Sequence, residues 1–306
     1  MSFWFDLLVG IWLFIVGTVV GSFLNVCIYR LPWQKSVIWP GSVCFQCLAP
    51  IAPYDNIPVV SWFVLRGECR RCGARFSARY ALVELLVGLL FVAVYLTDVI
   101  LNPRVGFRDP LPYARMAYHQ LFLAFLLVAT FIDYDYQLIP DEVTVPGMLA
   151  GLAFGALVPG IRPEPGTAAT MLGGLGVGLL GLAVGAGLTW TFRLVFSAVF
   201  RREAMGFGDV TLMGLIGSFL GWQGAVLAFF LAPFFGLGHA GWKLVKWLGK
   251  LLRGAQASSA DRELAFGPYL SMAAAALVLV WPWAWPHLKD RIFTPLAVVF
   301  WFLLGW

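Results

Sequence analysis

Charged residues are scarce in this sequence, and their scarcity decides its class. Asp, Glu, Lys and Arg make up 12% of the 306 residues, whereas 60% are hydrophobic. A soluble domain carries about 25% charged residues, so an ordinary soluble domain is excluded and an integral membrane protein is predicted. The net charge of +5 does not indicate nucleic-acid binding, because the basic residues stand beside apolar segments without an aromatic and basic platform.

Histidine is rare as well, and so are basic residues at the amino terminus. His119, His239 and His287 show no metal-ligand spacing, so we expect them to serve in packing or at an interface. The first ten residues, "MSFWFDLLVG", contain no Lys or Arg. A cleaved signal peptide has a basic head, so the apolar run that follows is expected to be a membrane span.

Long apolar segments are what the sequence has in place of charge. Because a span needs about 20 mostly apolar residues, the candidates are 5–28, 81–101, 115–133, 143–159, 168–192, 209–221, 224–243, 266–285 and 292–306. The segments 209–221 and 292–306 are short. We predict an all-α polytopic membrane protein with eight spans and leave a ninth at the C-terminus open. Its glycine-rich runs indicate close helix packing.

The basic residues predict which way the chain crosses the membrane. Three predicted loops, within 29–80, 201–202 and 243–262, carry 14 Lys and Arg residues, and the opposite loops carry six. By the positive-inside rule the first group is cytoplasmic and the N-terminus is outside. The predicted division is a first span at 1–28, a cytoplasmic loop domain at 29–80 and a transmembrane bundle at 81–306.

Two Cys-x-x-Cys pairs lie in that first loop. Cys44 and Cys47 are separated from Cys69 and Cys72 by 21 residues, and four thiolates in this pattern suit a tetrahedral structural zinc site. Disulfides or a redox pair are the alternative, which a reducing cytoplasm disfavours. With four protein ligands no coordination position is open for catalysis. The fifth cysteine, Cys27, is expected to pack inside the first span.

Two acidic residues stand where apolar runs meet the same predicted face. Asp133 follows "HQLFLAFLLVATFI", and Asp209 stands in "MGFGDVTLMG" before another apolar run. Two predicted spans lie between them, and an even number of crossings returns the chain to one face. An acid at the centre of a span costs about 2.5–3.5 kcal/mol, which makes both residues functional candidates.

Each of these acids also has a simpler interpretation. Asp209 could cap a helix N-terminus, and Asp133 could be a boundary residue that reaches water. Gly206 and Gly208 favour a functional Asp209, because they leave room for another backbone to approach it. Two facing carboxylates in a partly dry site share a proton, which allows one to activate water while the other polarises a peptide carbonyl. The pair therefore predicts aspartic peptide hydrolysis.

Several ordered motifs resemble the bifunctional prepilin peptidase family, the type 4 prepilin leader peptidases. They are "GSFLNVCIYRLP", the cysteine loop beginning "CFQCLAPIAPYDNIP", "FIDYDYQLIPDEVTVP", "GFGDVTLM" and "FGPYL". The resemblance covers most of the chain. Many family members have Lys where this chain has Thr211, and the C-terminal "RIFTPLAVVFWFLLGW" extends beyond the usual eight spans.

The resemblance implies a function and a set of residues. It implies that Asp133 and Asp209 cleave a short basic leader after a glycine, at the cytoplasmic face of the bacterial inner membrane. It also implies that the new amino terminus of the prepilin or pseudopilin is methylated with S-adenosylmethionine, and that the zinc loop belongs to the methylating half. No nucleotide-binding motif locates the methyl donor. Glu84 in "YALVELL" is the first residue to test, and its simpler interpretation is a solvated residue at the start of a helix.

Other classes of protein explain less of the sequence. A transporter would need a polar path across the bilayer, whereas the acids gather at one face and the outer halves of the spans look apolar. A zinc-binding scaffold without chemistry leaves Gly206 and Gly208 without a purpose. A presenilin-like protease gives no reason for the four cysteines.

Overall fold

Helices form the regular structure in the part of the chain that the computed structural model describes, residues 3–102, 111–162, 170–201, 205–252 and 265–295. These residues contain two isolated β-bridges in the cysteine loop and no β-strand. Short π-helical turns continue α3 and α8 to residues 100 and 293. The α-helices are α1 Phe3–Arg30, α2 Val60–Val64, α3 Arg79–Tyr95, α4 Pro112–Tyr136, α5 Asp141–Leu157, α6 Met171–Phe200, α7 Phe207–Leu252 and α8 Gly267–Leu288.

Six of the described helices are long and apolar enough to cross a membrane. They are α1, α3, α4, α6, α7 and α8 with their short continuations, and the predicted all-α polytopic class is confirmed. The 17 residues of α5 extend about 25 Å at the helical rise, slightly less than a bilayer core of about 30 Å. Most of the segment 292–306 lies outside the described residues. The number of spans and the predicted division at residues 28 and 80 stay predictions.

The long helix α7 consists of two arms joined at Gly221. This glycine has φ 77° and ψ 177°, a conformation that residues with a side chain rarely adopt. Trp222 lies 5.5 Å from Phe293, ring centre to ring centre, just beyond the C-terminal end of α8. A Cβ atom on Gly236 would lie 3.4 Å from the ring of Tyr269, near the beginning of α8. The chain therefore reverses at Gly221, as the two separate apolar segments on either side of residue 222 predict.

Glycines bring neighbouring helices into backbone contact. A Cβ atom on Gly21 of α1 would lie 2.7 Å from Cα of Glu84 in α3, and one on Gly17 would lie 2.8 Å from Cα of Gly88. In α6, a Cβ on Gly181 would collide with the backbone of α7. The predicted role of the glycine-rich runs in close helix packing is confirmed.

The bundle has two distinguishable ends. We call the end that carries residues 31–78, and with them the four cysteines, the loop end. There α1 and α4 terminate, and α3, α5, α7 and α8 begin. We call the opposite end the far end. Because α5 and α6 lie between Asp133 and Asp209, both acids come to the loop end, as the even number of crossings predicts.

The far end is more polar inside than the sequence suggests. His119 of α4, expected to serve in packing or at an interface, is almost fully buried, and its Nδ1 lies 2.7 Å from Oδ2 of Asp98, which is buried as well. Arg162, counted as a loop charge, is also buried and donates hydrogen bonds to three helix carbonyls. The expectation of apolar outer halves is wrong, because polar groups that bond to each other and to helix carbonyls can be buried together.

Candidate functional site

Two helix ends place the two acids of the predicted dyad side by side. Asp133 lies in the last turn of α4, which ends when Gln137 adopts a left-handed conformation and its N–H bonds to the Asp133 carbonyl at 2.9 Å. Asp209 lies in the first turn of α7. Only 6% of Asp133 and 8% of Asp209 is exposed. Both side chains line one cavity of about 650 Å³ at the loop end.

Backbone N–H groups hold both carboxylates. The amide of Gly267, the first residue of α8, donates to Oδ2 of Asp133 at 3.0 Å. The Asp209 carboxylate accepts a hydrogen bond from the Gly206 amide and is close enough to Asp133 for direct electrostatic repulsion. Neither carboxylate has an ion-pair partner among the described residues. As far as the described residues go, the cavity therefore contains two neighbouring acids whose charges are not offset by a cation, the condition for sharing a proton.

The glycines near the dyad differ in what they allow. A Cβ on Gly208 would lie 2.9 Å from Cβ of Ile139 and 3.4 Å from its amide nitrogen. A Cβ on Gly267 would lie 2.5 Å from Oδ2 of Asp133. On Gly206 the nearest atom would be Oδ2 of Asp209, at 3.8 Å, which is ordinary contact. Gly208 and Gly267 thus permit close approach, whereas the position of Gly206 has space toward the cavity.

The cavity carries acidic residues only, among its described charged residues. Asp141 and Glu142 at the start of α5 line it together with the dyad, and the described lining contains no Lys, Arg or His. The remaining wall is formed by the turn after α1, the α4–α5 connection and the residues just before α7 and α8. Such a site attracts a positively charged peptide.

The four cysteines come together as predicted. The metal-ligand atoms of Cys44, Cys47, Cys69 and Cys72 all lie within 4.8 Å of one another, and the sulfurs of Cys44 and Cys72 are 3.7 Å apart. A zinc–sulfur bond of about 2.3 Å gives a tetrahedral edge of about 3.8 Å. The donor set and its spacing therefore fit a closed zinc site. Cys27 is buried in α1, away from the cluster.

The two cysteine pairs have the same backbone geometry. Cys44 N–H donates to the Ala49 carbonyl at 3.0 Å, and Cys69 N–H donates to the Ala74 carbonyl at 2.8 Å. In each turn the residue four positions after the first cysteine, Leu48 or Gly73, has a positive φ and donates its N–H to that cysteine's carbonyl. Two equivalent turns thus aim two thiols each at one point, the arrangement of paired zinc knuckles.

The ionisation of these thiols also favours a cation at that point. Hydrogen bonds from the backbone of Cys47 and then Gln46 lower the pKa of Cys44 to about 6. At Cys72 a hydrogen bond from the backbone of Ala74 lowers the pKa, but burial and the neighbouring thiols together raise it to about 12. Crowded thiols resist further ionisation, and a divalent cation among them removes that resistance.

A salt bridge connects the cysteine-loop side of the bundle to the dyad helix. Arg79, the first residue of α3, lies 2.7 Å from Oδ2 of Asp135 in α4, and its guanidinium stands 5.0 Å from the centre of the Phe131 ring. The sequence patterns predicted neither this salt bridge nor the hydrogen bond from the Gly267 amide to Asp133. Both depend on how α3, α4 and α8 approach each other in space. The motif "FGPYL" marked the segment but not the bond.

Comparisons with known proteins agree with the motifs. The family model described as Bacterial Peptidase A24 N-terminal domain matches residues 15–97, which include the four cysteines. The model described as Type IV leader peptidase family matches residues 120–241, which include Asp133 and Asp209. No solved structure matches the chain.

Curated relatives are similar over most of the chain. A prepilin leader peptidase/N-methyltransferase from Aeromonas hydrophila is 35% identical over 296 residues, covering 88% of this chain and 89% of the relative. One from Klebsiella pneumoniae is 35% identical over 220 residues, covering 70% and 86%. One from Myxococcus xanthus is 41% identical over 223 residues, and the match covers 72% of this chain and 58% of that relative.

Proposed function

This chain belongs to the family of prepilin leader peptidases/N-methyltransferases, and we propose that it removes the leader of prepilins or pseudopilins after a glycine and then methylates the new amino terminus. It is a multi-pass protein of the inner membrane. The observation that carries the cleavage reaction is the shared cavity of Asp133 and Asp209, two buried acids without a cation partner among the described residues.

The dyad supports hydrolysis by activated water. One carboxylate takes a proton from water as its oxygen bonds to the peptide carbonyl carbon, and the other, protonated, gives its proton to the carbonyl oxygen. When this intermediate collapses, the C–N bond breaks and the carboxyl that took the water proton gives it to the leaving nitrogen, while the other carboxylate takes back a hydroxyl proton as the carbonyl forms again. The amide of Gly267 holds Asp133 in place for these transfers. Which acid acts first as the base is a property of the coupled pair.

The charges around the cavity support a basic leader as the substrate. Four acids and no Lys, Arg or His are among its described lining residues. In the proposed orientation the loop end faces the cytoplasm and the N-terminus lies outside, since the loop-end segments carry most of the basic residues. A prepilin with its apolar helix in the membrane would then present its leader to the cavity from the cytoplasm. Gly208 supports this proposal because it allows the α4–α5 connection to pack beside Asp209.

The methylating activity is proposed to use S-adenosylmethionine, and the cysteine loop is proposed to hold a structural zinc ion. The methyl donor supplies an electrophilic methyl group to the new amine. The zinc ligands would be Cys44, Cys47, Cys69 and Cys72, which would hold together a loop that has little apolar core of its own. Gly206, which has space toward the cavity, is proposed as a point of substrate approach.

A single assay tests both activities. Purified protein in lipid receives a leader-bearing prepilin and S-adenosylmethionine labelled in its methyl group, and both the shortened product and the label on it are followed. We expect cleavage first and label only on the cleaved product. Cleavage without label would contradict the methylating half of the proposal, and an intact prepilin would contradict all of it.

Metal analysis tests the zinc site. We expect about one zinc ion per chain, lost in Cys44→Ser and retained in Cys27→Ser, which removes a cysteine outside the cluster. We expect zinc loss to impair methylation before cleavage, because the dyad lies on α4 and α7 rather than in the loop. Wild-type protein free of zinc after purification without chelators would overturn the metal assignment.

A further inference from the structure

A second cavity lies beside the cysteine loop, separate from the dyad. Its volume is about 410 Å³, within the range of about 300–1,000 Å³ that small-molecule sites occupy. Its walls come from the last third of α1, the first turns of α3 and the loop between them. Neither Asp133 nor Asp209 lines it, so peptide hydrolysis leaves this cavity without a task.

Flat aromatic side chains form much of the wall. Tyr29 of α1 and Tyr80 of α3 are stacked with 5.1 Å between ring centres, and Tyr54 and Trp62 of the loop also line the cavity. Asn25 is buried and directs its amide nitrogen to the Tyr80 carbonyl at 3.0 Å. Rings of this kind offer a stacking surface for a nucleobase, and they attract cations over their faces.

Of the six charged residues that line this cavity, three are paired with an opposite charge. Arg70 binds both carboxylate oxygens of Asp55, at 2.7 to 3.0 Å, and this hydrogen bonding holds the pKa of Asp55 below its ordinary value. Glu68 pairs with Arg75 at 3.3 Å. These two acids are therefore not available to compensate the charge of a ligand.

Glu84 differs from the other acids of the cavity. It accepts a hydrogen bond from the Val59 amide at 2.7 Å through Oε2, and it has no ion-pair partner among the described residues. Its backbone is fixed by the close packing of Gly21 against it. A rigidly placed carboxylate without a cation, in an aromatic cavity, favours a cationic ligand.

We propose that this second cavity binds S-adenosylmethionine, with Glu84 facing its positively charged sulfur. The inference rests on the proposed methylating activity and assigns its methyl-donor site to the second cavity. Adenine stacks on the aromatic wall, and Arg71, which lines the cavity without an ion-pair partner among the described residues, receives the ligand's carboxylate.

The position of the cavity suits the order of the two reactions. Tyr29 and Arg30 at the end of α1 line the second cavity, and the next residues, Leu31 and Pro32, line the cavity of the dyad. The two sites thus lie on either side of one short segment. An amino terminus released at the dyad has to pass only this segment to meet the methyl donor.

The transfer balances without another reagent. The neutral amine of the cleaved pilin bonds to the methyl carbon as the carbon–sulfur bond breaks, and that bond's electron pair goes to sulfur. The positive charge moves from sulfur to nitrogen, and the methylated nitrogen releases a proton to water. The product, S-adenosylhomocysteine, has a neutral sulfur, so Glu84 should favour the methyl donor over the product.

Ligand binding without pilin tests the charge assignment. Equilibrium dialysis of the full-length protein in nanodiscs compares S-adenosylmethionine with S-adenosylhomocysteine. We expect Glu84→Gln to weaken S-adenosylmethionine binding by about tenfold or more, with a smaller effect on S-adenosylhomocysteine. Asp135→Asn, the same loss of one negative charge at an acid that lines neither cavity, should leave both affinities unchanged. Equal losses for both ligands in Glu84→Gln would overturn the assignment of Glu84 to the sulfur.

A second variant tests the cavity itself. Ser22 of α1 lines the cavity, whereas its neighbour Phe23 is exposed on the outside of the helix. We expect Ser22→Trp to fill the cavity and abolish binding of both ligands and methylation, with prepilin cleavage and zinc content retained as measures of correct folding. Phe23→Trp is the matched control and should behave as wild type.

The outcomes separate the location from the activity. If the wild-type protein methylates cleaved pilin and Ser22→Trp binds the donor with wild-type affinity, the donor site lies elsewhere and the inference is wrong. If the wild-type protein cleaves prepilin but neither binds the donor nor transfers a methyl group, the proposed methylating activity fails, and the inference fails with it.

Discussion

Both ends of the helical bundle bury acidic side chains, but the groups that contact these side chains differ. At the far end Asp98 contacts the imidazole of His119 at 2.7 Å. At the loop end Asp133 and Asp209 line one cavity, and within the described part of the chain their hydrogen bonds come from the backbone alone. All four residues are less than a tenth exposed. Burial alone therefore does not distinguish them.

The difference lies in how each charge is compensated. A buried acid with a fixed hydrogen-bonded partner holds helices together, and loss of the partner destabilises the fold. A buried acid beside another acid, next to a cavity, has a negative charge that no partner compensates, and a substrate or water can interact with it. The far end thus illustrates an acid used for structure, and the loop end acids suited to chemistry.

The largest effect is expected on the cleavage rate, when either acid at the loop end is replaced. Asp133→Asn or Asp209→Asn removes proton transfer and should lower the cleavage rate by about 10²–10⁴-fold, with the protein still inserted and zinc retained. Methylation of a pilin peptide supplied already cleaved should continue, since the second cavity is separate. Timed gel assays of prepilin cleavage measure the effect, and substantial cleavage by either variant would exclude that residue from the mechanism.

At the far end the expected effect is on stability instead. Asp98→Ala leaves the buried His119 without its partner and should lower the free energy of unfolding by about 3–5 kcal/mol. Unfolding by graded addition of denaturing detergent measures the loss. At a temperature where the variant is still folded, its cleavage rate should equal that of the wild type. A slow but stable Asp98→Ala would contradict the structural role.

A glycine in contact with the dyad tests whether crowding of Asp133 affects cleavage. Gly267→Ala would press a methyl group against Oδ2 of Asp133, and such overpacking costs about 1–3 kcal/mol. We expect reduced cleavage with little change in methylation. Gly187→Ala, where an added Cβ atom would meet no atom within 4 Å, is the matched control for the glycine-to-alanine change. Equal loss in the two variants would show that backbone flexibility, and not crowding of Asp133, limits the reaction.

The smallest effect is expected at an acid two positions along α4 from the dyad. Asp135 is partly exposed and pairs with Arg79, and partly exposed pairs contribute about 0–1 kcal/mol. Asp135→Asn should therefore change stability and cleavage little. Because it has the same chemical change as Asp133→Asn on the same helix turn, it controls for nonspecific loss of charge. A large loss of cleavage in this variant would place Asp135 in the mechanism.

Much of this arrangement could be predicted from the sequence because it depends on counting and spacing. The pairing of Asp133 with Asp209 follows from an even number of helices between them, and the cysteine cluster follows from two identical spacings. The reversal at Gly221 follows from a break in apolar length. These features are local or topological, so they need no knowledge of packing.

What could not be predicted depends on contacts between distant segments. From the sequence, Arg162 is predicted to be a charged loop residue. Its burial follows from hydrogen bonds to carbonyls of α5, α6 and α7, which the sequence does not reveal. The bond from Gly267 to Asp133 joins residues 134 positions apart. The second cavity needs the loop to fold back on α1 and α3. Periodicity and composition contain no information on such encounters.

The buried guanidinium of Arg162 has a consequence for how the nascent protein is inserted into the membrane. Its donors are satisfied by the carbonyls of Gly151, Gly174 and Ser218, one from each of three consecutive helices. A nascent chain that has delivered only the first two helices to the lipid lacks the acceptor on the third. Integration of these three helices should accordingly be concerted, with the earlier pair held at the translocon until the hairpin that follows has entered.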